Sequence, residues 1–584
     1  MHDLLIKGAK LVDGTGTPAR TADVAVRDGL IAAVGRITEP ARRTINADGA
    51  LLTPGFGDVH THYDGQFLWD SLLNPSFSNG VTTVIAGNCG VGFAPARPEH
   101  RRMLMELMEG VEDIPGPVLD EGLDWRWHSF PDYLERLDEG RYTMDIGLQI
   151  THAPLRVYVM GDRAARHEAA TPEDVAAMGD LVREAMRAGA MGFSTGRFLG
   201  HRATSGDHVP GTFADESELL GLAAALGSGG HGVFQIVPHG IAGNLFNAQA
   251  TREERISEHA MLARIARTSG RPLIFTCIQF WEDPEDWRIM LDASTRAHAE
   301  GARVHPMTSA RGIGGLTMLD GYHPFMLRPA YVEIADLPLA ERVEAMRDLA
   351  RREAILAQEG QDVPGKETTA LLLANFRAAL PELYLIGQPF DYEPGPERQL
   401  SNAAARSGKT LEAELYDHLV QGNGDSFAAH MATNYENGSL DGVRDMLANP
   451  IVISGLSDGG AHVRFICDGG LPTFQLLFWC RDRTRGPKLP LAMIVRKATH
   501  DGAQLYGLND RGVIVPGKRA DMNLIDFDRL SIGMPRMTYD LPSGGGRLVQ
   551  DGSGYLATMV AGTITRENDE ETGARPGRLV RSRA

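Results

Sequence analysis

The sequence predicts an α/β fold, a closed (β/α)8 TIM-like barrel with a small β-sandwich built from both chain ends. Three observations predict it. Both ends read as short strands, and the middle alternates apolar β-type runs with helical periodicity. The alternating runs number eight, the count of a closed parallel barrel. A chain of 584 residues is long enough for a large core and more than one structural unit.

The first strands lie in LLIKGAKLVDG and TADVAVRDGLIAAVG, with turns at Asp13-Gly14 and Asp28-Gly29. GVIVPGKRADMNLIDF and GYLATMVAGTITREN repeat that texture near the other end, so residues 1–54 and 512–584 are expected to pair into the sandwich. The Arg-rich stretch Arg575–Arg583 reads as a solvated C-terminal tail. Residues 55–511 are assigned to the barrel. Its strands are expected at the run ending in His60–His62, then Thr82–Ala86, Asp145–Ile150, Ala190–Ser194, Gly232–Val237, Pro272–Ile278, Ala302–His305 and Ile451–Gly455. PEDVAAMGDLVREAMRAG and EERISEHAMLARIARTSG carry helical periodicity between them, the first opened by Thr171-Pro172, an N-cap followed by proline at the first helical position. A doubly wound open sheet would alternate in the same way, but the count and the positions of the motifs favour the barrel. From about 313 to 427 the rhythm breaks in a Pro- and Gly-rich segment with helices of its own (RVEAMRDLARREAILAQ). An insertion after the seventh strand lies at the mouth of a barrel, so this one reads as a substrate-enclosing lid or a subunit contact.

Composition narrows the function classes. The net charge of −18, with no Lys/Arg run, argues against nucleic-acid or membrane-surface binding and leaves a small-molecule substrate as the expected partner. Cys89, Cys277, Cys467 and Cys480 form no CxxC pair and are too scattered for a disulfide framework, which fits a reducing cytoplasm. Polar residues stand where a signal peptide needs its apolar core, and no apolar run of about 20 residues could span a bilayer. A GxSxG nucleophile elbow and a GxxxxGK[ST] phosphate loop are both absent.

The chemistry starts in LLTPGFGDVHTHYDG. Alternate residues of a strand share a face, so His60 and His62 project together and make half a zinc site. The Pro-Gly, the apolar run and Asp58 beside them make the motif more specific than HxH alone. Here the sequence resembles the amidohydrolase superfamily, whose first barrel strand ends in this motif. In IVISGLSDGG, an apolar strand delivers Asp458 to the same mouth, because strands one and eight are neighbours in a closed barrel. The resemblance implies that Asp458 binds the metal and takes a proton from the attacking water.

VIAGNCGVG places Cys89 at the end of the second strand and resembles the N-acyl-D-amino-acid deacylase (D-aminoacylase-like) branch, which implies a metal-ligating cysteine. THAPLRVYVMG, GAMGFSTG and SDGGAH match as well, and the resemblance covers nearly the whole chain. Two departures stand out. The family has a histidine at the end of strand five, where GVFQIVPHG offers Gln235 or Ile236, with His239 beyond. It has another at strand six, where LIFTCIQF offers Cys277, with Gln279 near the family's lysine. The expected centre is therefore mononuclear, one Zn2+ per subunit on His60, His62, Asp458 and Cys89. The alternative is a metal pair using Cys89 and Cys277.

His152 and His305 sit at expected strand ends, either as catalytic groups that polarise the scissile carbonyl or as hydrogen-bonded structural histidines. His323, His430 and His462 are weaker candidates. Arg464 or Arg311, with Gln279, would contact the substrate in place of the missing lysine. The implied activity is metal-assisted hydrolysis of an amide-type C–N bond in an N-acyl amino acid or related compound, with Asp458 as general base and acid. The alternatives are a cyclic amide, carbamate or ester hydrolase with the same site, or a non-catalytic binding or assembly protein on a degenerate barrel. A homo-oligomer of unspecified size is expected for a lidded barrel.

Overall fold

The apolar runs between residues 56 and 454 fold as parallel strands. In the computed structural model, which describes residues 1–241, 250–361 and 367–583, these strands are Phe56–Asp58, Val81–Ala86, Asp145–Leu148 continued by Ile150–Thr151, Gly192–Gly196, Val233–Val237, Leu273–Thr276, Val304–Thr308 and Ile453–Ser454. The first three form one sheet. Ile150–Thr151 opens a second that runs in chain order to Ile453–Ser454. Every pairing in the two sheets is parallel. The last strand region returns to the first through a parallel bridge between Thr61 and Gly459. There the His62 N–H donates to the Gly459 carbonyl at 2.8 Å, and the Asp458 N–H to the His60 carbonyl at 3.2 Å.

Helices between the strands carry readable end signals. In Pro172–Ala188, Thr171 and Asp174 form a reciprocal capping box and Gly189 closes the helix in the left-handed conformation. Thr251 and Glu254 do the same for Arg252–Ser269. The seventh strand differs from its expected position. It covers Val304–Thr308 rather than ending at His305, so His305 lies near the N-terminal end. Pro306 removes one donor but does not stop the strand, because Met307 and Thr308 are paired with Ile453 and Ser454.

Both chain ends enter a single nine-stranded sheet. Its junction is the antiparallel pairing of Leu51–Pro54 with Met522–Ile525. Asp28 (φ 53°) and Gly29 (φ 75°) sit in the left-handed region that a two-residue type I′ hairpin requires. Leu4, Ile6, Val24, Leu52, Met522 and Met559 belong to the apolar layer of this sheet. The tail is not solvated as its arginines suggest. Gly577 exchanges backbone hydrogen bonds with Tyr142, Val580 donates to the Ile146 carbonyl at 2.8 Å, and Arg581 pairs with Glu135 at 2.9 Å.

The segment after the seventh strand forms a small antiparallel sheet from Leu316–Thr317, Tyr384–Ile386 and Phe427–Ala429, with a bridge between Ile313 and Thr433 at its base. It has its own core, including Leu319, Phe325, Tyr331, Met346 and Tyr416. Among the described residues no helix is long and apolar enough to cross a membrane.

Candidate metal centre

The ends of strands one, two and eight converge. His60 and His62 follow Phe56–Asp58, Cys89 follows Val81–Ala86, and Asp458 follows Ile453–Ser454. Donor atoms of His60, His62 and Cys89 all lie within 4.8 Å of one another, and all three residues are buried. Cys89 Sγ is 3.4 Å from His60 Nε2 and 3.8 Å from His62 Nε2. Asp458 Oδ1 stands 3.3 Å from His60 Nε2 and 3.7 Å from His62 Nε2. The four residues expected to bind metal are thus neighbours.

Local backbone geometry aims these side chains. Cys89 (φ 57°), Asp458 (φ 47°) and His462 (φ 51°) are all non-glycine residues in the left-handed region, a costly conformation that clusters at functional sites. The Cys89 N–H donates to Gln235 Oε1 at 3.0 Å. Below the cluster, Ser457 Oγ donates to Asp58 Oδ2 and the His60 N–H to Asp58 Oδ1, which ties strand eight to strand one. The sequence reading noted Asp58 without this role.

Burial sets the protonation states. It pushes His60 down to about 3, with His201 and His462 adding to the effect, and holds His62 well below its ordinary value. It drives Asp458 upward, reinforced by Asp468 and Asp58. The protein environment alone therefore favours a neutral imidazole beside a carboxylic acid, not an ion pair. Cys89 is likewise pushed up by burial and by the charges of Glu112, Asp458 and Asp64. Such a donor set fits a divalent cation. Neutral imidazoles present lone pairs, and a positive ion would offset the cost of the buried thiolate and carboxylate. The mix of nitrogen, sulfur and oxygen suits zinc.

Other expected site residues have different surroundings. His152 directly follows strand three as the first residue of the helix His152–Met160, but Nδ1 is 2.8 Å from Thr195 Oγ1 and Nε2 is 2.9 Å from Glu218 Oε1, so each nitrogen already has a partner. His305 turns Nδ1 to the Ile451 carbonyl at 3.0 Å, away from the end of the strand where the cluster lies. Arg311 is buried and committed to Asp468 at 2.6 Å. Gln279 pins a loop instead: its N–H donates to Asn434 Oδ1 at 2.8 Å and its Nε2 to the Pro284 carbonyl at 3.2 Å. Arg464 is half-buried over the Tyr322 ring, 5.3 Å from its centroid, and its guanidinium makes no ion pair among the described residues. At strand five, Gln235 Oε1 accepts the Cys89 N–H, while its Nε2 makes no hydrogen bond among the described residues. At strand six, Cys277 is buried and its thiol is raised by that burial.

Glu112 was missed by the sequence reading. It ends the helix Arg101–Glu112, is 1% exposed, and lies 3.1 Å from His62 Nδ1 and 3.6 Å from His462 Nε2. Its only sequence signal was an acidic residue on a helix, which usually marks a solvated face.

The family model described as Amidohydrolase family matches residues 43–566, nearly the whole chain. The chain belongs to the amidohydrolase family. Among its relatives, a D-aminoacylase of Alcaligenes xylosoxydans xylosoxydans is 41% identical over 197 residues, 34% of this amidohydrolase and 38% of that protein. An N-acyl-D-aspartate deacylase of the same organism is 41% identical over 225 residues, covering 38% and 41% of the two chains. The matches thus span about two fifths of these relatives' length. A crystal structure of D-aminoacylase covers 100% of both chains with a TM-score of 0.64 at 25% identity.

Proposed function

We propose that this amidohydrolase is a metal-dependent hydrolase that cleaves the amide-type C–N bond of an N-acyl amino acid. The observation that carries the reading is the convergence of His60, His62 and Cys89 within 4.8 Å, with Asp458 3.3 Å from His60. The matched segments of a D-aminoacylase and an N-acyl-D-aspartate deacylase support the substrate class. The ring of parallel pairings, returning through Thr61 and Gly459, supports a closed (β/α)8 barrel with the site at the C-terminal ends of its strands.

His60, His62, Cys89 and Asp458 would hold one zinc ion per chain. The side chains at strands five and six support one ion rather than two, since Gln235 already accepts from Cys89 and, among the described residues, Cys277 does not join the donor cluster of His60, His62 and Cys89. When bound, a divalent cation supplies Lewis acidity, which polarises an amide carbonyl and brings the pKa of water from about 16 towards about 7. Asp458 accepts the proton of the attacking water and passes it to the departing nitrogen. Ser457 and Asp58 steady the loop from which Asp458 acts. Arg464, which makes no ion pair among the described residues while Arg311 is held by Asp468, receives the substrate carboxylate.

The test combines elemental analysis of protein purified without chelators with hydrolysis of N-acyl-D- and N-acyl-L-amino acids, lactams and aryl esters. About one equivalent of zinc and turnover of acyl amino acids is the expected result. Metal-free protein with undiminished turnover would overturn the reading.

A further inference from the structure

We propose that Glu112 is a positioning residue of the metal centre, a buried carboxylate that orients His62 and His462 from the outside. The inference rests on the zinc reading above and adds a residue that the HxH, Cys and Asp motifs do not contain.

His62 has two ring nitrogens, and they face different neighbours. Nε2 points to the cluster, 3.8 Å from Cys89 Sγ and 3.7 Å from Asp458 Oδ1. Nδ1 is 3.1 Å from Glu112 Oε1. This contact is one of proximity, since His62 Nδ1 makes no hydrogen bond among the described residues; a carboxylate there favours the tautomer with the proton on Nδ1, which leaves the Nε2 lone pair for a cation. The other oxygen, Oε2, is 3.6 Å from His462 Nε2, on the loop that carries Asp458. Among the described residues neither oxygen accepts a hydrogen bond, so the carboxylate is not placed to satisfy a cap or a turn. Burying a carboxylate without such partners is costly. A cation on the far side of His62 supplies the positive charge that makes the placement sensible.

The backbone is built to hold this carboxylate in place. Gly110, in the last turn of the helix, packs against the loop at Arg202, whose carbonyl oxygen leaves no room for a Cβ there. The Glu112 carbonyl accepts the His462 N–H. Asp113 follows at φ 55° and accepts from Tyr322 Oη at 3.0 Å and from the Arg464 N–H at 3.2 Å. The end of this helix is therefore fixed by the loop after strand four, by the loop after strand eight and by the insertion together.

The experiment measures zinc affinity by chelator competition, and the visible spectrum of the cobalt-substituted protein, for the parent, Glu112→Gln and Glu112→Asp. Glu112→Gln keeps the shape and removes the charge. It is expected to weaken zinc by roughly 10- to 100-fold and to shift the cobalt bands, with an unchanged far-ultraviolet circular dichroism spectrum. Glu112→Asp keeps the charge but withdraws it by one methylene, and is expected to weaken zinc as well. That variant decides the question if the glutamine variant does not fold. Zinc affinity within twofold of the parent in a folded variant would overturn the role of Glu112 while leaving the zinc reading intact. A parent that binds no zinc would overturn both.

Discussion

Asp458 Oδ1 stands 3.3 Å from His60 Nε2, so a carboxylate that follows strand eight and an imidazole that follows strand one face each other at the strand ends. The two substitutions that follow from this should separate. His60→Ala is expected to lose bound metal and turnover together. Asp458→Asn, which keeps an oxygen donor but removes the proton acceptor, should lower kcat by about 10²- to 10⁴-fold. Metal content and steady-state kinetics on the same preparations check both.

Arg464→Ala tests the substrate carboxylate. A charge-assisted hydrogen bond contributes about 1.5–3 kcal/mol, so kcat/KM for N-acyl amino acids should fall roughly 10- to 150-fold. Neutral N-acyl amides should be hydrolysed as before. Equal losses on both substrate classes would place the guanidinium outside the substrate contact.

Acid should weaken the insertion through His323. Burial, with the nearby Arg342 and Arg328, lowers this imidazole to about 3, and neither ring nitrogen has a partner among the described residues. The unfolded chain takes up the proton near 6.5 and the folded chain does not. Stability is therefore complete above 6.5 and is lost as the pH falls from there towards 3. Between pH 7 and pH 5 this amounts to about 2 kcal/mol. Urea unfolding at the two pH values should show the parent losing that much more than His323→Leu.

Removing residues 577–584 should destabilise the protein by on the order of 3 kcal/mol, from the burial of Leu579 and several backbone hydrogen bonds. Thermal unfolding of the truncated chain measures it. An unchanged midpoint would return the tail to the solvated role that its arginines suggested.

The contrast between Asp458 and Glu112 shows what was legible in the sequence. His60, His62, Cys89 and Asp458 sit at or just beyond strand ends, and a strand end in a parallel sheet has a known direction, so local pattern carried them to one place. Glu112 reaches the same place from a helix end, held by its backbone bond with His462 and by contacts of Gly110 with the Arg202 loop and of Asp113 with the insertion, which no local pattern encodes. His305 was misplaced because the apolar run ARVH was expected to end the strand there, whereas pairing to the neighbours carried the strand three residues further. His152 was located correctly, but Thr195 and Glu218, distant in sequence, already occupy its nitrogens. The tail was misread because charge was legible while the backbone pairing of Gly577 to Tyr142 was not.

The pairing of Leu51–Pro54 with Met522–Ile525 has a consequence for biosynthesis. On the ribosome, the first strands emerge long before their partner exists. At about 5–20 residues per second, the edge at Leu51–Pro54 waits roughly half a minute or longer for the strand that covers it. Throughout that interval a buried apolar edge is open to pairing with other nascent chains, so slow translation, high expression or loss of chaperones should cost this protein more yield than its finished stability implies.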